Sequence, residues 1–369
     1  MTKSVRLYGY LHGESSFAQV TRGLQRTLEA MGELAGLYPV DMDPELAPRE
    51  LRGGESAPLS LNCGSPEGLL RAHRSGDHKE HWLLLAPNSQ GLPHGFVEGL
   101  LKTSDILPRG TLSGGILAPS RWAASVCQDA FPEKKVLVAP HGVSPEVHSV
   151  NPKDLAASRR DFKNGLFDVL HMASTEADRK GTRQLMRAWA HLKSRRELPS
   201  VARLHIMMNP THCSKVKWWA ADLGLSENDY SVAPGLVHDR YQVANLYRAM
   251  HLVCQPSRAE GFGLVPLEAL ACGTPVAITI STGHSEYAST GLPGLMEVPH
   301  GPLGPMDDYP GSTAPTVTAE AIVHALWSAY DRWESLSAQA ADNAAPLAEE
   351  WSWEKKNRPA LTKMIAESP

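Results

Sequence analysis

Between Leu252 and Ile278 the chain runs through an apolar stretch, a glycine-bearing loop, a second apolar stretch and a Gly/Pro stop, an order that leaves little choice of local structure. Leu252-Val253-Cys254 reads as the end of a buried strand. Val265 to Cys272 reads as a helix that Gly273 and Pro275 stop before a strand at Pro275-Val276-Ala277-Ile278. Strands joined through a helix run parallel, so this unit belongs in a parallel sheet covered by helices.

The same rhythm recurs on both sides of it. Val5 to Tyr10 predicts a first strand, followed by a turn at Leu11-His12-Gly13-Glu14-Ser15-Ser16 and a helix from Phe17 to Met31 that Gly32 can end. Further strands are expected at Trp82 to Ala86, Gly115 to Ala118 and Lys135 to Ala139, with Pro119-Ser120-Arg121-Trp122 beginning a helix to about Ala130. Residues 149–166, polar and containing Pro152 and Gly165, read as an irregular interdomain linker and a hinge. The alternation then restarts: strands at Phe167 to Met172, Arg203 to Met208 and Ser231 to Ala233, and helices at Thr182 to Leu192, Lys215 to Leu223 and Arg240 to Met250. The stretch His300 to Pro315, dense in Gly and Pro, reads as a mobile loop. Glu320 to Leu336 and Ala338 to Ala345 are expected to be helical, with an interruption at Pro346, and a last helix comes after Trp353.

With 369 residues and 42% hydrophobic content, two domains are the default. The expected division is 1–150, 151–340, and C-terminal helices at 341–369 that cross back to the first domain. A formal net charge of -4 announces no polycationic surface for nucleic acid or anionic membrane. The five cysteines are odd in number and scattered without a CxxC pair, which points to a reduced, cytoplasmic interior. No apolar run reaches bilayer length and the start carries no signal-peptide core, so the expected protein is not inserted in a membrane.

The loop inside the opening unit carries chemistry. Gly261 and Gly263 uncover backbone N–H groups at a helix N-terminus, where the dipole favours negative charge and a diphosphate fits. Glu260 in the loop and Glu268 in the helix offer acceptors to the hydroxyls of two different rings. Two solvated carboxylates beside an ordinary turn would be the plainer account of such a pair.

Glu260-Gly261-Phe262-Gly263-Leu264 with Glu268 resembles the donor site of the retaining GT-B glycosyltransferases of family 4, the glycosyl transferases of group 1. Other segments share the likeness in the same order: Ala118-Pro119-Ser120-Arg121-Trp122, Pro140-His141-Gly142-Val143, Arg179-Lys180-Gly181, Leu246-Tyr247-Arg248-Ala249-Met250, Ala271-Cys272-Gly273-Thr274-Pro275-Val276 and Gly283-His284-Ser285-Glu286. The resemblance spans about Gly115 to Glu286. It implies an α/β fold of two Rossmann-like, doubly wound parallel-sheet domains facing across a cleft. In such enzymes the first domain binds the acceptor and the second the nucleotide sugar, without a required metal or cofactor beyond a UDP- or GDP-linked sugar.

The resemblance further implies that Glu260 touches the transferred sugar, that Glu268 holds the ribose, and that Gly261, Phe262, Gly263 and Leu264 line the donor. Lys180 is the implied cation beside the leaving diphosphate, assisted by Arg179. Family members often carry another Arg about five positions before that Lys, where this chain has Ser174-Thr175. His94, after the strand at Trp82, is placed as a residue facing the sugar, with His12 and His141 as competitors. Gly13 reads either as a ligand loop or as a plain turn. His73, His78 and His81 lack regular ligand spacing and read as a polar loop.

The activity implied by the resemblance is transfer of a hexose, with retention, to a hydroxyl of a soluble saccharide or metabolite. A hydroxymethylated pyrimidine in DNA is an alternative acceptor, with Arg22, Arg26, Arg71, Arg74 and Lys79 as phosphate contacts. A non-catalytic sugar-nucleotide-binding protein is the rival of another class, disfavoured because Glu260 and Glu268 are both present.

Overall fold

The computed structural model describes residues 5–9, 16–39, 57, 59–63, 78, 80–86, 112–174, 178–234, 239–309 and 311–368. Two compact units emerge: Met1–Gly142 together with Glu350–Pro369, and Val143–Glu349.

The first unit holds β1 (Val5–Gly9), α1 (Ser16–Met31), β2 (Leu34–Pro39), β3 (Leu59–Cys63), β4 (Glu80–Leu84), β5 (Ile116–Ala118), α2 (Arg121–Ala130) and β6 (Val136–Val138). Its six strands form one sheet in the order β2-β1-β3-β4-β5-β6, parallel throughout. Ser120, whose hydroxyl accepts the Ala123 N–H at 3.0 Å, starts α2. β2 and β3 escaped the sequence reading for identifiable reasons. β2 is broken in pattern by Gly36 and ends on Pro39, and β3 places polar Ser60 and Asn62 inside a wholly buried strand. Asn62 is accommodated there because its amide donates to Trp82 O at 3.0 Å.

The last helix, α10 (Trp353–Ala366), packs against α1 within this unit. Asn357, fully buried, donates to Pro140 O at 2.9 Å, and the His141 ring lies 5.6 Å from Trp353. A Cβ on Gly142 would stand 2.6 Å from both Trp351 O and Trp353 N. Because those atoms are main chain and cannot swing away, Gly142→Ala is expected to destabilise this unit by about 1–3 kcal/mol. A thermal melt against wild type checks it.

In the second unit, α3 (Pro152–Lys163) occupies the stretch expected to be an irregular linker. Asn151 caps it by accepting the Lys153 N–H at 3.0 Å, and Pro152 sits in the first turn, where its missing N–H costs nothing. Then come β7 (Asp168–Ser174), α4 (Thr182–Ser194), β8 (Arg203–Met208), α5 (Cys213–Asp222), β9 (Tyr230–Pro234), α6 (Arg240–Ala249), β10 (Leu252–Gln255), α7 (Leu264–Ala271), β11 (Val276–Ile278) and β12 (Leu295–Glu297). The sheet order is β12-β11-β10-β7-β8-β9, again parallel. Chain order reverses between β7 and β10, and open sheets of this kind bind ligands beyond the strand ends at that reversal.

The segment read as a mobile loop forms a hairpin, β13 (Leu303–Pro305) with β14 (Thr313–Pro315). Arg258 ties it down by donating to Pro315 O at 3.0 Å, Gly304 O at 3.0 Å and Pro305 O at 2.8 Å. α8 (Ala319–Asp331) ends one residue before α9 (Trp333–Glu350), and α9 runs through Pro346. Buried Ala340, Ala344 and Leu347 hold the helix together across the hydrogen bond that proline removes.

Candidate functional site

The loops after β7 and β10, the two strands at the reversal, are fastened together. Arg258 N–H donates to Arg179 O at 2.8 Å. A Cβ on Gly181 would lie 2.3 Å from Pro256 O, so only glycine lets the chains approach this closely. Each loop leads into a helix whose N-cap is a left-handed glycine: Gly181 (φ 70°) before α4 and Gly263 (φ 86°) before α7. Neither supplies a side-chain acceptor, so both helices present first-turn amides and the positive ends of their dipoles at the same place. That arrangement suits an anion.

Glu260 sits in the second loop, buried. Its Oε2 accepts Arg179 Nη1 at 2.9 Å and its Oε1 accepts Lys180 Nζ at 2.6 Å. Burial pushes the Glu260 carboxyl up, but Lys180 and Arg179 beside it outweigh that and hold it far below the usual carboxylate range. The guanidinium of Arg179 also donates to Ala259 O at 2.9 Å, and its backbone N–H to Asp308 Oδ2 at 2.7 Å. Arg179 is 5% and Lys180 12% exposed at the side chain, so Lys180 is the more open of the two.

Glu268 lies on α7, buried, and accepts the Tyr247 hydroxyl at 2.8 Å. Burial and this carboxylate keep the Tyr247 phenol protonated, well above its ordinary range. His148 Nε2 stands 3.8 Å from Glu268 Oε1. Burial pulls the His148 imidazole down to about 4, so this contact joins a carboxylate to a neutral ring. Beneath Lys180, buried His171 bridges Cys254 O and Thr182 Oγ1, each at 2.9 Å, and burial brings it too to about 4. His284 gives its Nδ1 to Thr279 O at 2.9 Å, and its Nε2, buried against Gly263, has no hydrogen-bond partner among the described residues. Burial lowers its affinity for a second proton, against the pull of Glu260.

Of the residues singled out from sequence, the fold brings Lys180, Arg179, Glu260, Gly261, Phe262, Gly263, Leu264 and Glu268 onto the two loops and α7. Gly13 and His94 lie outside the described residues, as do His12, His73, Arg71, Arg74 and Lys79. Arg22 and Arg26 lie within α1. His78 and His81 form a polar group with Tyr8 and Ser60: Tyr8 Oη meets His78 Nε2 at 3.0 Å and Ser60 Oγ meets His81 Nδ1 at 2.7 Å. Among the described residues no cluster has the makings of a metal site, and no helix is long and apolar enough to cross a membrane. The roles of His148, Asp178, Arg258 and Asp308 are not foreshadowed by the sequence pattern. Arg258 pairs with Asp178 at 2.6 Å, a contact between the two loops that no local pattern announces.

The model of the family described as glycosyl transferases group 1 matches residues 167–303, the stretch that contains both loops. The D-inositol 3-phosphate glycosyltransferase 1 of Catenulispora acidiphila is 32% identical over 325 residues, 76% of this chain and 74% of that protein. The chain belongs to the group 1 glycosyltransferases. Among solved structures, a glycosyltransferase from Rickettsia africae matches over 100% of both chains with a TM-score of 0.67 at 15% identity. The HepE protein of Anabaena, solved with UDP and glucose, matches 99% of this chain and 100% of its own with a TM-score of 0.66 at 15% identity. At that identity the likeness speaks for the fold, which is GT-B: two doubly wound parallel sheets, as the group 1 resemblance implied. This group 1 glycosyltransferase is therefore a glycosyl-transferring enzyme with its cation and carboxylate cluster at the reversal of its second sheet.

Proposed function

We propose that this enzyme moves a hexose, with retention, from a UDP- or GDP-linked sugar to a hydroxyl of a soluble acceptor in the cytoplasm. The observation that carries the reading is the Arg179–Glu260–Lys180 cluster between two helix N-termini that lack side-chain caps. It supplies each of the three things a nucleotide sugar needs: amides and a cation for the diphosphate, a carboxylate for sugar hydroxyls, and a second carboxylate at Glu268 for the ribose. HepE was crystallised with UDP and glucose, and the relative from Catenulispora is named for an inositol phosphate acceptor. Both point to a small polyhydroxylated substrate pair.

In this reading Lys180 turns from Glu260 to the diphosphate when the donor enters. The bond between the anomeric carbon and the phosphate oxygen breaks with its electrons going to the phosphate. Charge grows on that oxygen, where Lys180 and the helix amides stabilise it more strongly than in the ground state. The acceptor oxygen bonds to the anomeric carbon on the same face and its proton passes to the departing phosphate, so no side-chain nucleophile is required. Glu260, released from Lys180 but still held by Arg179, accepts from the sugar and orients it. No metal or further cofactor is invoked.

The test is a panel of UDP- and GDP-sugars, each followed by release of the nucleoside diphosphate with and without acceptors. Inositol 3-phosphate and simple saccharides serve as the acceptors. We expect one donor to turn over faster with one acceptor and the product to keep the donor's anomeric configuration by NMR. Glu260→Gln is expected to lower kcat/KM about 100-fold or more. Absence of both turnover and binding for every nucleotide sugar would sink the reading.

A further inference from the structure

The short 3-10 turn Thr282–Glu286, between β11 and β12, meets the Glu260 loop in a way that calls for explanation. Thr282 has φ 49°, a left-handed backbone that a β-branched residue adopts only under strain. Glycine would take that conformation at no steric cost. What threonine adds is its hydroxyl, whose Oγ1 accepts the Glu260 N–H at 3.0 Å. The next residue completes the grip, since Gly283 N–H donates to Glu260 O at 2.8 Å. Both main-chain groups of Glu260 are thus taken by two consecutive residues of one turn.

The neighbouring contacts make the grip rigid. A Cβ on Gly283 would lie 2.5 Å from Glu260 O, Gly261 C and Phe262 N, so the turn is pressed onto the loop along its length. Tyr287 Oη donates to Gly263 O at 2.7 Å, and Ser285 Oγ donates to Thr282 O at 2.6 Å. On the side-chain end, Arg179 and Lys180 hold the carboxylate. When Lys180 leaves for a phosphate, Arg179 and this main-chain anchor together restrain where that carboxylate points.

We infer that Thr282 is a positioning residue: its hydroxyl fixes the Glu260 main chain so that the carboxylate meets the transferred sugar. This role rests on Glu260 being the group that orients that sugar. The effect is expected at the sugar end of the donor, because the Thr282 hydroxyl bonds the Glu260 main chain, whereas the nucleotide end is assigned in the proposed reading to Glu268 on α7.

Three variants separate the hydroxyl from the backbone. Thr282→Val keeps the branched shape and removes the acceptor, Thr282→Gly removes the strain and the acceptor together, and Thr282→Ser keeps the acceptor. For Val and Gly we expect kcat/KM toward the preferred nucleotide sugar to fall about 10- to 100-fold. Ser should restore turnover to within about threefold of wild type, and the Kd for the nucleoside diphosphate alone should stay within about twofold in all three. A merely structural role would weaken nucleotide binding in parallel, and that result overturns the inference. So does full turnover by Thr282→Gly. Glu260→Gln, assayed alongside, keeps the two ideas apart: if it retains wild-type turnover the Glu260 reading fails, whereas if it is impaired and Thr282→Val is not, only the Thr282 inference falls.

Discussion

Replacing Arg179 by alanine is expected to lower the unfolding free energy of the second unit by about 3–5 kcal/mol, because it strips one partner from a buried carboxylate. Arg179 is almost wholly enclosed, and its guanidinium serves Glu260 and the Ala259 carbonyl at once. Its loss leaves a carbonyl without that donor and a carboxylate with Lys180 alone among its two cations. Lys180→Ala removes the other cation from the same buried carboxylate, so it too should cost stability. Glu260 then keeps its Arg179 pair, and in the proposed mechanism turnover also falls about 100- to 1,000-fold through loss of the cation at the leaving group. Urea unfolding and steady-state kinetics on both variants decide it. Wild-type stability of Arg179→Ala, or full turnover by Lys180→Ala, would contradict the account.

Acid is expected to weaken the second unit from about pH 6.5 downward, above the range in which Glu260 protonates. His148 and His171 are buried and neutral, each with its pKa drawn from 6.5 to about 4 chiefly by burial. An unfolded histidine takes up a proton near 6.5 and these folded ones do not. Their contribution is therefore complete above about 6.5 and is lost as pH falls toward 4. At about 1.4 kcal/mol for each tenfold change in proton affinity, each accounts for roughly 3 kcal/mol across that window. Glu260 acts lower on the scale. Its folded pKa is depressed, so its contribution is intact above the unfolded value of 4.5 and is lost only as pH drops through the folded one. Urea midpoints at pH 7, 6, 5 and 4.5 should fall steadily, and His148→Gln or His171→Gln should flatten the slope. Stability unchanged from pH 7 to 4.5 would refute the account.

The two loops after β7 and β10 were legible from local sequence to a useful degree. The span Leu252 to Ile278 announced its strand, loop, helix and strand because apolar runs, glycines and a proline punctuate it within a short distance. Glu260, Glu268 and Lys180 stood out through the group 1 resemblance and not through spacing alone. Less legible were β2, β3 and the hairpin at 303–315. In β3 the residues that look polar are satisfied by a neighbouring strand, and in the hairpin the glycines and prolines that suggest a loose loop are held by Arg258, forty or more residues away in sequence.

By itself the sequence determined the alternation of strands and helices, the two glycine-opened helix starts and the residue types gathered around them. Those depend on backbone sterics and periodicity, which act over a few residues at a time. Only the tertiary structure decided that β7 and β10 are neighbours, that Arg179 and Lys180 share one carboxylate, and that Thr282 accepts strain to hold Glu260. The reason is physical: strand order and buried charge pairing are settled by groups eighty residues apart competing for one dry site, and no local rule ranks those partners.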